Sequence, residues 1–166
     1  DVLGLSTLRM IEGCVEKILQ RHHSIHEPTF EQIKKFYNEN LHPDVIDLND
    51  KKVYKNIFHK GNFAGIFQFT ESGAQKFAAR VRPSSIIDLS AITSIYRPGP
   101  LSAGVDKLYA KAKYGNQGNE MPWMNHRAIK RVTKETYGFL IFQEQIALLA
   151  HELGKDLSLD EGNLLR

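Results

Sequence analysis

Glu71-Ser72-Gly73-Ala74-Gln75-Lys76-Phe77-Ala78-Ala79-Arg80-Val81 decides the class of fold. Its apolar residues fall at 74, 77, 78 and 81, the spacing of one face of an α-helix, and Pro83 stops the pattern. The same period recurs on both sides. Leu8, Ile11, Val15, Ile18 and Leu19 predict a helix over about 7–21. Thr29 followed by Gln32 is a capping-box pair, and Ile33, Phe36 and Tyr37 give the next helix its buried face, with an end near Leu41. Asp50 stands before a short helix carrying Val53, Tyr54, Ile57 and Phe58. Ser85 to Ile95, Leu101 to about Lys113, His126 to Val132 and Ile141 to Leu153 are further helical stretches, and Ser158 with Glu161 opens a last one. Three segments break the period. Ile66-Phe67-Gln68-Phe69 after Gly65 reads as a short strand or a buried extended segment. Arg97-Pro98-Gly99-Pro100 reads as a rigid turn, and Tyr114 to Asn125 as a loop. The expected fold is mainly α.

With 166 residues, 42% hydrophobic and 25% charged, the chain has the size and composition of one ordinary domain with a real core. No apolar run approaches the roughly 20 residues of a membrane-spanning helix. The single cysteine, Cys14, forms no intrachain disulfide, which excludes a secreted disulfide scaffold and fits a reducing compartment. The chain opens at Asp1 without an initiator Met and stops inside a helical pattern at Leu164-Leu165-Arg166, so both ends read as cuts through something longer. Net charge is only +3, but it is uneven. Residues 97–134 hold eight Lys and Arg against Asp106 and Glu120, a local +6. Such a stretch either faces phosphates or is a solvated surface.

His22, His23 and His26 invite a metal reading, but only His22 and His26 share a helical face and no acidic or Cys ligand stands at a standard offset. Glu144 has no His or Ser partner at a catalytic spacing and, with Gln143, reads as a structural or positioning residue. Tyr137 beside Gly138 reads as aromatic core packing rather than a stacking platform, and the alternation of Phe67 and Phe69 puts at least one of them in the core. Arg97 is open between two roles: aiming a planar guanidinium at phosphate oxygens, or pairing with a carboxylate to brace the turn.

Four patterns then occur in one order: Asp1-Val2-Leu3-Gly4-Leu5, Gly65-Ile66-Phe67-Gln68-Phe69-Thr70-Glu71-Ser72-Gly73, Tyr96-Arg97-Pro98-Gly99-Pro100-Leu101-Ser102-Ala103-Gly104 and Thr136-Tyr137-Gly138-Phe139-Leu140-Ile141-Phe142-Gln143-Glu144-Gln145. Through essentially its whole length the chain resembles the bacterial C-family replicative DNA polymerases, the DNA polymerase III alpha subunits. The resemblance implies a remnant of the last palm strand over residues 1–6 and helical fingers over 7–166, truncated at the C-terminus. It implies template-directed deoxynucleotidyl transfer by two Mg2+ ions in the full enzyme, with Asp1 as the third catalytic and metal-binding aspartate. Alone, without the other two carboxylates, Asp1 is not expected to hold magnesium tightly. Arg97 and Arg166 would approach the nucleotide phosphates. Lys107, Lys111, Lys113, Arg127, Lys130 and Arg131 would line the DNA path. Implied partners are primer-template DNA, deoxynucleoside triphosphates, a sliding clamp and other replisome subunits, in the bacterial cytoplasm and without a membrane. Val2, Ala74 and Phe142 stand where the family usually has Phe, Met and Tyr, as in a divergent member, bacterial or phage-encoded. The competing class is a non-catalytic helical module that binds nucleic acid or protein.

Overall fold

The structure is a computed structural model and describes residues 5–115, 122–154 and 156–164. It divides into two compact units, 1–50 and 51–166.

The first unit is a pair of helices, α1 (Ser6–His22) and α2 (Phe30–Asn40). Val15, Leu19 and Ile33 form its small core, with Ile25 and Phe36 packed on them. Leu8, Ile11 and Ile18, at the other positions of the α1 stripe, remain exposed. The expected capping box is made. Gln32 donates its backbone N–H to the Thr29 hydroxyl, and its side chain accepts from the Thr29 N–H at 2.8 Å.

The second unit begins with α3 (Lys51–Val53), which runs into one π-helical turn over Tyr54–Phe58. Tyr54 and Phe58, four residues apart and so on one face, are both buried. The main core is built by α4 (Ser72–Val81), α5 (Ile86–Ile95) and α7 (Val105–Tyr114). Ala74, Phe77, Ala78 and Val81, the four residues that announced α4, are all buried, against Ala91, Ile92 and Ile95 of α5 and Tyr109 and Ala110 of α7. Burial of each large apolar side chain contributes about 1.5–3 kcal/mol. α8 (Arg127–Thr133), α9 (Gln143–Leu153) and α10 (Leu159–Asn163) pack in succession, and Ser158 and Glu161 make the second expected capping box.

Two readings change. Among the described residues there is no strand, and Gly65–Phe69 is neither the short strand nor the buried extended segment expected. It is a run of turns, with Ile66 N–H bonded to the Phe63 carbonyl and Phe69 N–H to that of Ile66, and with Gly65 and Gln68 at φ +74° and +63°. Aromatic packing holds these turns. Phe63 and Phe69 stack with centroids 5.7 Å apart, and Phe58 meets both edge-on. Phe69 is buried and Phe67 half exposed. The second change is at Arg97-Pro98-Gly99-Pro100, which opens a helix. Pro98 is the first residue of α6 (Pro98–Ser102), where its missing N–H is no loss, and the Leu101 N–H bonds the Arg97 carbonyl at 3.0 Å. Gly104, at φ +69°, separates α6 from α7.

Candidate nucleic-acid interface

The second and third of the four sequence patterns fold against each other. Tyr96, just after α5, lays its ring over Gly73 at the start of α4, so closely that a Cβ at Gly73 would collide with the Tyr96 hydroxyl. Beside this contact lies an open cavity of about 500 Å³. Gln68, Thr70 and Glu71 of one pattern and Tyr96, Arg97 and Leu101 of the other line it, with Thr93 of α5. Arg97 is fixed by its backbone: its N–H donates to the Ile95 carbonyl at 2.7 Å and its carbonyl caps α6. The side chain is exposed and makes no ion pair with any described carboxylate, although Glu71 lines the same cavity. The bracing role therefore has no carboxylate partner among the described residues.

α5 also carries a buried polar centre that sequence reasoning missed. Asp88 of α5 is 1% exposed. One of its carboxylate oxygens accepts from Lys113 Nζ at 2.6 Å, from the Ser84 N–H at 2.8 Å and from the Ser84 hydroxyl at 3.0 Å; the other accepts from the Tyr137 hydroxyl at 3.1 Å. Burial pushes the carboxyl upward, but the bonds from Lys113 and Ser84 outweigh it and hold Asp88 below its ordinary value. Burial, and then the nearby Asp88 charge, push the Tyr109 and Tyr137 hydroxyls up, so both stay protonated. The Tyr109 ring packs edge-on against Tyr137 and Phe139.

This centre reassigns Lys113. The expectation placed it on a DNA path, but its side chain is 7% exposed and bonded to Asp88 and to the Arg82 carbonyl. Lys107 and Lys111 differ. They are exposed on α7 and, with Arg80, Ala110 and Tyr114, line a groove of about 470 Å³. Arg127 and Lys130 are exposed on α8, and Arg131 pairs with Glu152 at 2.9 Å on the surface. Asp1 and Arg166 lie outside the described residues, as do residues 116–121 of the segment read as a loop over Tyr114 to Asn125.

The fourth pattern builds structure. Tyr137 and Gly138 take φ of +53° and +93°, which turns the chain between α8 and α9. Trp123 donates its indole N–H to the Gly138 carbonyl at 2.6 Å. Gln145, buried on α9, uses its whole amide. Its oxygen accepts from the Ile141 and Phe142 N–H groups, and its nitrogen donates to the Val132 carbonyl and the Thr136 hydroxyl. Gln143 and Glu144 are exposed beside it. Among the described residues no group of three His, Cys, Asp or Glu side chains is placed to hold a metal, the His22–His26 segment included, and no helix is long and apolar enough to cross a membrane.

A family model described as the bacterial DNA polymerase III alpha subunit finger domain matches residues 10–166. The chain belongs to this family. It is 34% identical over 154 residues to the DNA polymerase III subunit alpha of Campylobacter jejuni, covering 93% of this chain and 11% of that protein. The same subunit of Xylella fastidiosa (strain 9a5c) is 33% identical over all 166 residues, and that of Aquifex aeolicus 31% over 153, each with 12% of its own length covered. The chain thus spans about an eighth of the length of these relatives. As a finger domain it is helical, as the sequence implied. Two of its patterns meet at the Arg97 cavity, and a third forms the Tyr137–Gln145 brace.

Proposed function

We propose that this chain works, within a longer polypeptide, as the fingers of a template-directed DNA polymerase that transfers deoxynucleotides. Residues 1–6 would close the palm and 7–166 would form the fingers. The observation that carries the reading is Arg97: an exposed guanidinium on a backbone fixed from both sides, in a cavity built by two of the family-like patterns. A guanidinium so held presents its planar fork to phosphate oxygens of the incoming nucleotide or of the template. Lys107 and Lys111, with Arg127, Lys130 and Arg131 on α8, would neutralise backbone phosphates. Arg166 would join Arg97 at the triphosphate. The full enzyme would take two Mg2+ ions, which activate the attacking hydroxyl and offset charge on the leaving pyrophosphate, with Asp1 giving one carboxylate. The fingers would contribute binding and orientation. A sliding clamp and other replisome subunits would meet other parts of the polypeptide, in the bacterial cytoplasm.

The test is steady-state nucleotide incorporation by the intact polypeptide. Loss of a charged hydrogen bond costs about 1.5–3 kcal/mol, so Arg97→Ala should raise the nucleotide KM roughly 10- to 100-fold with an unchanged melting temperature. Arg97→Lys should recover part of this. A fall in melting temperature with an unmoved KM would return Arg97 to bracing. Failure of the wild-type polypeptide to bind primer-template would leave the non-catalytic module.

A further inference from the structure

We infer that the groove between α4 and α7 is a seat for single-stranded DNA, with Tyr114 as its base-stacking platform. The inference rests on the polymerase reading above and names the form of nucleic acid that this face takes. Lys107, Ala110, Lys111 and Tyr114 are spaced i, i+3, i+4 and i+7, so they lie in one row along α7. Arg80 of α4 faces the same groove, and its guanidinium is steadied by Asp106 at 3.2 Å. Ala110 is small and buried, which leaves the cations and the tyrosine as the groove's projecting groups. Lys107 and Lys111 stand roughly 6 Å apart along the helix axis, at 1.5 Å per residue.

The tyrosine decides between paired and unpaired strands. Its hydroxyl donates to the Val81 carbonyl at 2.6 Å, with the Arg82 carbonyl at 3.1 Å, where α4 ends. The polar end is thus fixed, yet the residue is 53% exposed, so what faces solvent is ring. Lys113, drawn inward by Asp88, sits 5.7 Å from the ring centroid and holds it further. Along a duplex the base faces are covered by stacking and pairing, so an exposed, immobilised ring beside a row of cations meets a free base face only at an end. A single strand offers a free base face to the ring while its phosphates track the lysines and Arg80.

Primer-template with 5-iododeoxyuridine placed either in an unpaired template overhang or within the duplex tests this on the intact polypeptide. Ultraviolet crosslinks from overhang positions should map to the peptide containing Tyr114, and those from paired positions should not. In fluorescence anisotropy, the affinity gained on lengthening the overhang should fall about 5- to 100-fold in Tyr114→Leu, as expected for one stacked base. Tyr114→Phe, which keeps the ring, should retain most of that gain, and blunt duplex should bind all three proteins alike. Equal losses on blunt duplex, or crosslinks from paired positions alone, would overturn the inference while leaving the polymerase reading intact. Should Tyr114→Leu fail to fold, the crosslink map of the wild-type protein decides by itself. A wild-type protein that binds neither form would overturn both readings.

Discussion

Asp88 and Lys113 lie 25 positions apart in the chain, and their 2.6 Å contact joins α5 to the last turn of α7. Removing one partner of a buried pair strands the other's charge, so Asp88→Ala should cost about 3–5 kcal/mol in urea unfolding at pH 7. The acid dependence follows from the sign of the shift. The folded Asp88 carboxyl lies below its ordinary value, so the unfolded chain takes up the proton first as pH falls. The stability Asp88 contributes is therefore full above the unfolded value of about 3.9 and drains away as pH falls through the lower, folded value. The gap between wild type and Asp88→Ala should narrow at pH 3; a gap independent of pH would show that folding leaves the carboxyl unshifted, and a gap that widens would show that it is protonated in the fold. Gly73 is a second residue with one reason for its identity. A Cβ there meets the Tyr96 hydroxyl and then ring atoms from 3.0 Å outward. Gly73→Ala should destabilise by about 1–3 kcal/mol, and Tyr96→Phe in the same chain should recover part of it, a coupling that a double-mutant cycle reads directly.

At the scale of elements, the α9–α10 crossing depends on one position. A Cβ at Gly162 would lie 2.7 Å from the Ala147 carbonyl oxygen, which is backbone and has no rotamer to yield. Gly162→Ala should push α10 off α9 at about 1–3 kcal/mol, seen as faster amide exchange in 159–163 with little change in α4 and α5. Unchanged exchange in α10 would mean that the crossing adapts. Helices and caps of this kind were legible in the sequence because their signals are local. The 74, 77, 78, 81 face is buried as spaced, and Thr29-Gln32 and Ser158-Glu161 close their boxes. The misread segments are those where one signal serves two geometries. Proline after Arg97 stops α5 and also starts α6, since position N1 tolerates it. Ile66 to Phe69 alternates like a strand, but the stack of Phe63 on Phe69 favours turns over pairing.

Across the whole molecule, charge in the sequence and charge on the surface are different quantities, and this limited how much of the site could be read. The +6 of residues 97–134 counted Lys113 with Lys107 and Lys111, and nothing within the segment marks Lys113 as the one that turns inward. Its partner, Asp88, lies on another helix. Arg97 was legible as a candidate, whereas the cavity around it needed two patterns to meet. The sorting of the lysines is open to measurement with the intact polypeptide on primer-template carrying an unpaired overhang. Each lysine that neutralises a phosphate releases a counterion, so the slope of log affinity against log salt should flatten by roughly 0.7 per lysine on a single strand. Lys107→Ala with Lys111→Ala should therefore flatten it by about 1.4 while the melting temperature holds. Lys113→Ala should do the reverse, lowering the melting temperature because Asp88 loses its counter-charge, with the slope unmoved. A slope that flattens on Lys113→Ala alone would place its ammonium on DNA, and with it α7 in a different rotation from the one that buries Tyr109.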